Sequence, residues 1–159
     1  MKVKKKQILF LLPIVLIVFV LVLVGFLRQP EMTKEERLTK DVTKNHEELS
    51  SLLQDNRGEH IKNNHPSFKS FATLFSVPLV GVDTRKTEYA ILSFECPRPE
   101  ASIYLYYAED DLIDIGGEHI VTADNPEINL ENLGVNGKGY IHCVRLQEGW
   151  FFYDSYIPT

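Results

Sequence analysis

The chain predicts an α+β fold: an N-terminal transmembrane helix, then an amphipathic stalk helix packed on an antiparallel β-meander sheet. Three observations carry this. An unbroken apolar run extends from Ile8 to Leu27, aliphatic or Phe throughout except at Pro13 and Gly25. Leu38, Val42, Leu49, Leu52 and Leu53 then recur at helical spacing among charged residues. From Glu88 onward, short runs rich in Tyr, Phe, Val and Ile alternate with turn residues.

The apolar run comes first. As a helix its 20 residues rise about 30 Å, the thickness of a bilayer's hydrocarbon core. A secretory signal core is shorter, roughly 7–15 residues, and ends on small residues. Here the run is followed by Gly25, Phe26, Leu27, Arg28, Gln29 and Pro30, without such a site. The expectation is an uncleaved anchor over residues 1–28, with residues 8–27 in the lipid bilayer. Lys2, Lys4, Lys5 and Lys6 precede the run and Arg28 closes it. The positive-inside rule then leaves the N-terminus in the cytoplasm and the remainder outside. The expectation is a single-pass cell-membrane protein with an extracytoplasmic C-terminal domain.

All 22 Asp and Glu follow the run, against 13 Lys and Arg from Arg28 onward, a net charge of −9 (13 minus 22). So acidic a domain excludes nucleic acid as the expected partner. Its length supports one core, divided as a stalk helix and loop over 29–66 and a sheet over 67–159.

The helical pattern runs from Glu31 to about Asp55, with Pro30 suited to its first turn and Gly58 just past its end. Its stripe fits packing on the domain's own sheet, or pairing with a partner chain near the membrane. Glu59 to Ser67 reads as a loop. Phe68 to Val82 combines a short helix with a strand. Ala90, Leu92, Phe94 and Cys96 share one face of a strand that Pro97 ends. Ile103 to Ala108 is a third strand, and Glu109, Asp110 and Asp111 form an acidic turn. His119 to Ala123 suits a short edge strand, and Asp124 to Gly139 is turn-rich. Tyr140 to Leu146 and Trp150 to Ile157 form a hairpin around Gln147, Glu148 and Gly149. The last strand is apolar on both faces and therefore belongs in the interior, covered on both sides.

Four stretches carry a resemblance: Ile91-Leu-Ser-Phe-Glu-Cys96, Tyr106-Tyr-Ala-Glu-Asp-Asp111, Gly139-Tyr140 and Trp150-Phe-Phe-Tyr153. In them the chain resembles a family of small, uncharacterised, membrane-anchored or exported α+β proteins of Gram-positive bacteria. That family's pattern is Tyr-Tyr-x-x-Asp-Asp, Gly-Tyr and Trp-Phe-Phe-Tyr. Ala108 and Glu109 stand where it carries Ser and Pro. The resemblance covers about Glu88 to Ile157. It implies fold and location and brings no activity.

Candidate chemistry is sparse. The sequence has no G-x-S-x-G, Gly-rich phosphate loop or H-E-x-x-H. Its five histidines lack zinc-site spacing. No catalytic, cofactor-binding or metal-binding residue is assigned. Cys96 and Cys143 are either a disulfide, which an oxidising compartment permits, or two small buried thiols. Tyr104, Tyr106, Tyr107, Asp110 and Asp111 form a candidate binding surface. The leading expectation is a membrane-anchored extracytoplasmic interaction module, with a protein at the cell surface as partner. An immunity-type or regulatory partner of a membrane protein is the alternative, and a small cell-envelope hydrolase the third reading.

Overall fold

The computed structural model describes residue 19 and residues 32–158, other than 118 and 135. The chain divides into two units, Met1–Met32 and Thr33–Thr159, and the elements below belong to the second. Apart from Phe19, the sequence-predicted anchor lies outside the described residues. Among those described, no helix is long and apolar enough to cross a membrane.

Helix α1 spans Lys34–Asp55. It starts later than the apolar periodicity suggests because Thr33 and Glu36 form a capping box. The Thr33 hydroxyl accepts the Glu36 N–H at 3.1 Å, and the Glu36 carboxylate accepts the Thr33 N–H at 2.8 Å. Two of the otherwise orphaned donors are thereby satisfied. Leu38, Val42, Leu49 and Leu53 are buried, and Leu52 is half-buried beside them. The empty place in the stripe is filled by Asn45, where the helix kinks. Its amide donates to the Leu74 carbonyl at 2.7 Å. The Asp41 carboxylate accepts both the backbone N–H and the hydroxyl of Ser76 at 2.7 Å.

A two-residue strand, β1 (His60–Ile61), and a short helix, α2 (Phe68–Ala72), follow. Then come β2 (Leu79–Asp83), β3 (Ala90–Phe94) and β4 (Ala101–Tyr107). β5 (Ile113–Ile115) and β6 (His119–Val121) pair as a separate hairpin. β7 (Glu127–Leu133), β8 (Gly139–Gln147) and β9 (Trp150–Tyr156) complete the chain.

The main sheet has seven antiparallel strands in the order β1-β2-β3-β4-β9-β8-β7. The expected meander is therefore corrected. After β4 the chain leaves the sheet, makes the β5–β6 hairpin, and re-enters at the far edge. The last strand then lies beside β4. The residue pattern explains why. β9 is apolar on both faces and needs neighbours on both edges and cover on both sides. β7 alternates Ile128 and Leu130 with Glu127, Asn129 and Glu131, and suits an edge.

Register separates two buried clusters. On the helix side Leu92, Leu105, Phe152 and Val144 form one row across the sheet. They pack with Leu38, Val42, Leu49 and Trp150. On the other side Phe151 and Cys143 pack with Ala108, Ile113 and Val121, so the β5–β6 hairpin is the second cover. Gly139 is required where β8 meets its neighbours. A Cβ there would lie 2.8 Å from both the Leu133 and Tyr156 carbonyl oxygens, closer than side chains tolerate.

The cysteines are both free. Cys96 packs against the helix-side cluster and Cys143 lies in the other. Three strand spacings separate β3 from β8, about 14 Å, and a disulfide needs Cα atoms within about 7 Å. In this structure the two thiols stand apart, the second of the two readings that the sequence left open. Burial pushes the Cys143 thiol up to about 12, which leaves it protonated and unreactive.

Candidate functional site

The face opposite α1 carries a cluster of tyrosines. β4 alternates, sending Ile103, Leu105 and Tyr107 toward the helix and Tyr104 and Tyr106 to the other side. Register sets Tyr104 beside Tyr153 of β9 and Tyr106 beside Phe151. Tyr89, just before β3, reaches the same cluster. The Tyr104 and Tyr153 rings stack at 5.7 Å between centroids, with 28° between their planes. Tyr106 meets Tyr104 at 6.0 Å, Tyr153 at 5.8 Å and Tyr89 at 5.6 Å, each edge to face. All four residues are half-buried. Burial, followed by the neighbouring tyrosines, raises the Tyr106 phenol well above its ordinary range, so it is neutral and a hydrogen-bond donor. The Lys86 ammonium lies 5.8 Å from the Tyr89 ring centre.

This arrangement splits the surface expected from sequence. Tyr104 and Tyr106 come together, but Tyr107 points the other way and packs on Trp150 at 5.0 Å. Asp110 is exposed in the turn after β4. Asp111 is engaged by Arg145: its carboxylate accepts from Nη2 at 2.6 Å and from Nε at 2.9 Å, and takes the Gly149 N–H at 2.7 Å. These bonds hold the carboxyl below its usual range. Asp111 is thus a structural clasp. Tyr89 and Tyr153 join the surface in place of Tyr107 and the two aspartates. Counting along β4 in twos separates Tyr104 and Tyr106 from Tyr107; only cross-strand register shows that Tyr153 lies beside Tyr104.

A second polar group lies on the helix side. His142 Nε2 is 3.4 Å from Glu127, and its Nδ1 is 3.9 Å from Glu35. The Tyr140 hydroxyl is hydrogen-bonded to Asp154 at 3.1 Å. Burial, then Asp154, raises the Tyr140 phenol. Tyr140, His142 and Asp154 line an open groove of about 450 Å³ with Asn129, Glu131 and Lys138. Among the described residues no group of three His, Cys, Asp or Glu is placed to hold a metal ion. His60 lies 3.5 Å from Asp83, which Arg85 also grips, and His65 Nδ1 accepts the Ser67 N–H. Of the acidic turn, Glu109 stands 3.8 Å from Arg57, and Asp114 accepts the Gly117 N–H at 2.7 Å.

Comparison with family models, curated proteins and solved structures gives no match for this chain.

Proposed function

We propose that the protein is a membrane-tethered interaction module that holds a protein partner outside the cytoplasm through its tyrosine face. The observation that carries the reading is the mutual contact of Tyr89, Tyr104, Tyr106 and Tyr153. Tyrosine supplies large, stiff, amphipathic contact area at low entropic cost and is enriched at protein interfaces. The ring spacing leaves no slot for a flat ligand between the stacked pair. Inserting a flat ring between two others needs about 7 Å between them, twice a carbon contact distance. The stacked pair here is at 5.7 Å. The rings therefore form a continuous surface, suited to a broad contact. Tethering rests on the apolar run over residues 8–27 and the four lysines before it.

The test uses the full chain solubilised from its own membranes in mild detergent and run on a native gel. Wild type should migrate as a complex larger than the isolated chain. Tyr104→Ser with Tyr153→Ser should migrate as the isolated chain while melting cooperatively. A complex that survives this change would place the contact elsewhere.

A further inference from the structure

The sheet ends in two unequal edges. One is β1, two residues long. The other is β7, seven residues long, paired only with β8. In an antiparallel pair, residues alternate between exchanging hydrogen bonds with the partner and directing both backbone groups away from it. The Arg145 N–H donates to the Pro126 carbonyl at 2.7 Å, which fixes the phase. Ile128 and Leu130 therefore bond to β8, and Glu127, Asn129 and Glu131 turn their N–H and C=O groups outward. Among the described residues no backbone group bonds to these outward groups. β7 lacks proline and lysine, two devices that discourage strand addition, and a bulge at Asn132 (φ 61) confines its regular open edge to Glu127–Glu131.

The side chains define what fits. Glu127, Asn129 and Glu131 share the face of His142: Glu127 contacts His142, and the Asn129 amide donates to Glu127 at 2.8 Å. Asn129 and Glu131 also line the groove that Tyr140, His142 and Asp154 share, with Lys138 as its one cation among the lining residues. Ile128 lies on the opposite face, against the tyrosine-side cluster. A strand added to β7 would set alternate residues beside the glutamates and the others beside Ile128 and Leu130.

We propose that β7 accepts an extended segment of a partner protein in which basic residues alternate with apolar ones. Backbone pairing supplies the attachment and the two glutamates supply the selection. A second copy of this chain is disfavoured. Self-pairing centred on Asn129 sets Glu127 against Glu131 of the copy, like charges directly opposite, and registers centred on Ile128 or Leu130 place no cation opposite either glutamate. The net charge of −9 from Arg28 onward (13 minus 22) draws a basic segment in. This edge is separate from the tyrosine face, and either site can be correct without the other.

The probe is a fluorescent nine-residue peptide alternating lysine and valine, titrated by anisotropy into the full chain in neutral detergent. Saturable binding is expected. The same peptide with its lysine backbone nitrogens methylated keeps its charge but cannot pair, and should bind at least tenfold more weakly. The variant Glu127→Lys with Glu131→Lys should weaken binding at least tenfold at an unchanged melting temperature. Asn129→Pro, which removes one outward N–H from an edge strand where proline is tolerated, should do the same. Absence of saturable binding would overturn the proposal. So would equal affinity for the methylated peptide, or undiminished binding by the charge-reversed variant. A dimer that dissociates in the Asn129→Pro variant would assign the edge to a second copy instead.

Discussion

Asp111 and Arg145 are 34 residues apart and form a two-pronged ion pair, with Nη2 at 2.6 Å and Nε at 2.9 Å from the carboxylate. The side chains are only 24% and 22% exposed. The same carboxylate holds the Gly149 N–H, so one aspartate joins the turn after β4 to the β8–β9 hairpin. It thereby fixes where the chain departs from the sheet before the β5–β6 hairpin. Asp111 itself adopts φ 55, a conformation that aspartate tolerates better than most residues. Removing it leaves a shielded guanidinium without its partner. Asp111→Ala should destabilise the fold by about 2–3 kcal/mol. Combined with Arg145→Ala, the loss should be smaller than the sum of the two single losses, as urea midpoints would show. Strict additivity would mean that the pair contributes nothing.

Acid should weaken the protein in a defined direction. Arg85 holds the Asp83 carboxyl down, from 3.8 to about 2, and Arg145 holds Asp111 below its ordinary range. A carboxylate whose folded pKa is depressed contributes stability that is complete above its unfolded pKa, about 4. The contribution fades as pH falls through the folded value. Urea midpoints should be flat from pH 7 to about 5 and fall below about 4. Asp83→Asn should show a shallower fall. An Asp83→Asn profile parallel to wild type would remove this carboxylate as a cause.

The two thiols should differ. Cys143 is fully buried and Cys96 half-buried. A thiol reagent should label at most Cys96 in the native protein and both cysteines in denaturant, and a reductant should leave the melting temperature unchanged. A non-reduced mass two hydrogens lighter would reinstate the disulfide.

Phe151 and Phe152 should matter about equally, because each lies in a different covered cluster. Phe151→Ala and Phe152→Ala should each lower stability by about 3–5 kcal/mol. A Phe151→Ala variant that melts like wild type would show that the β5–β6 hairpin does not seal that face.

The pattern of residues carries much of this architecture. β9 reads as interior because Trp150, Phe151 and Phe152 leave it no polar face, and α1 reads as amphipathic from Leu38, Val42 and Leu49. Leu53 completes the buried stripe with Leu38, Val42 and Leu49, and Leu52 lies half-buried at its margin. β7 is hidden by its asparagines, although Glu127 to Glu131 alternates with period two. β5 is hidden because it is only three residues long. The strand order follows from contacts between residues far apart in the chain, such as Tyr104 with Tyr153, and local periodicity is silent on those. The same holds for the candidate site. Tyr104 and Tyr106 are visible as a pair along β4, whereas Tyr89 and Tyr153 join them only through folding.

The most direct test of the tyrosine face is site-specific photo-cross-linking in intact cells. A photoreactive phenylalanine replaces, one at a time, Tyr104, Tyr153 and Glu47, the last on the exposed side of α1. The expected result is one defined protein adduct from positions 104 and 153 and none from 47. Adducts from position 47 alone, or the same adduct from all three positions, would contradict the assignment of the binding surface to the tyrosine face.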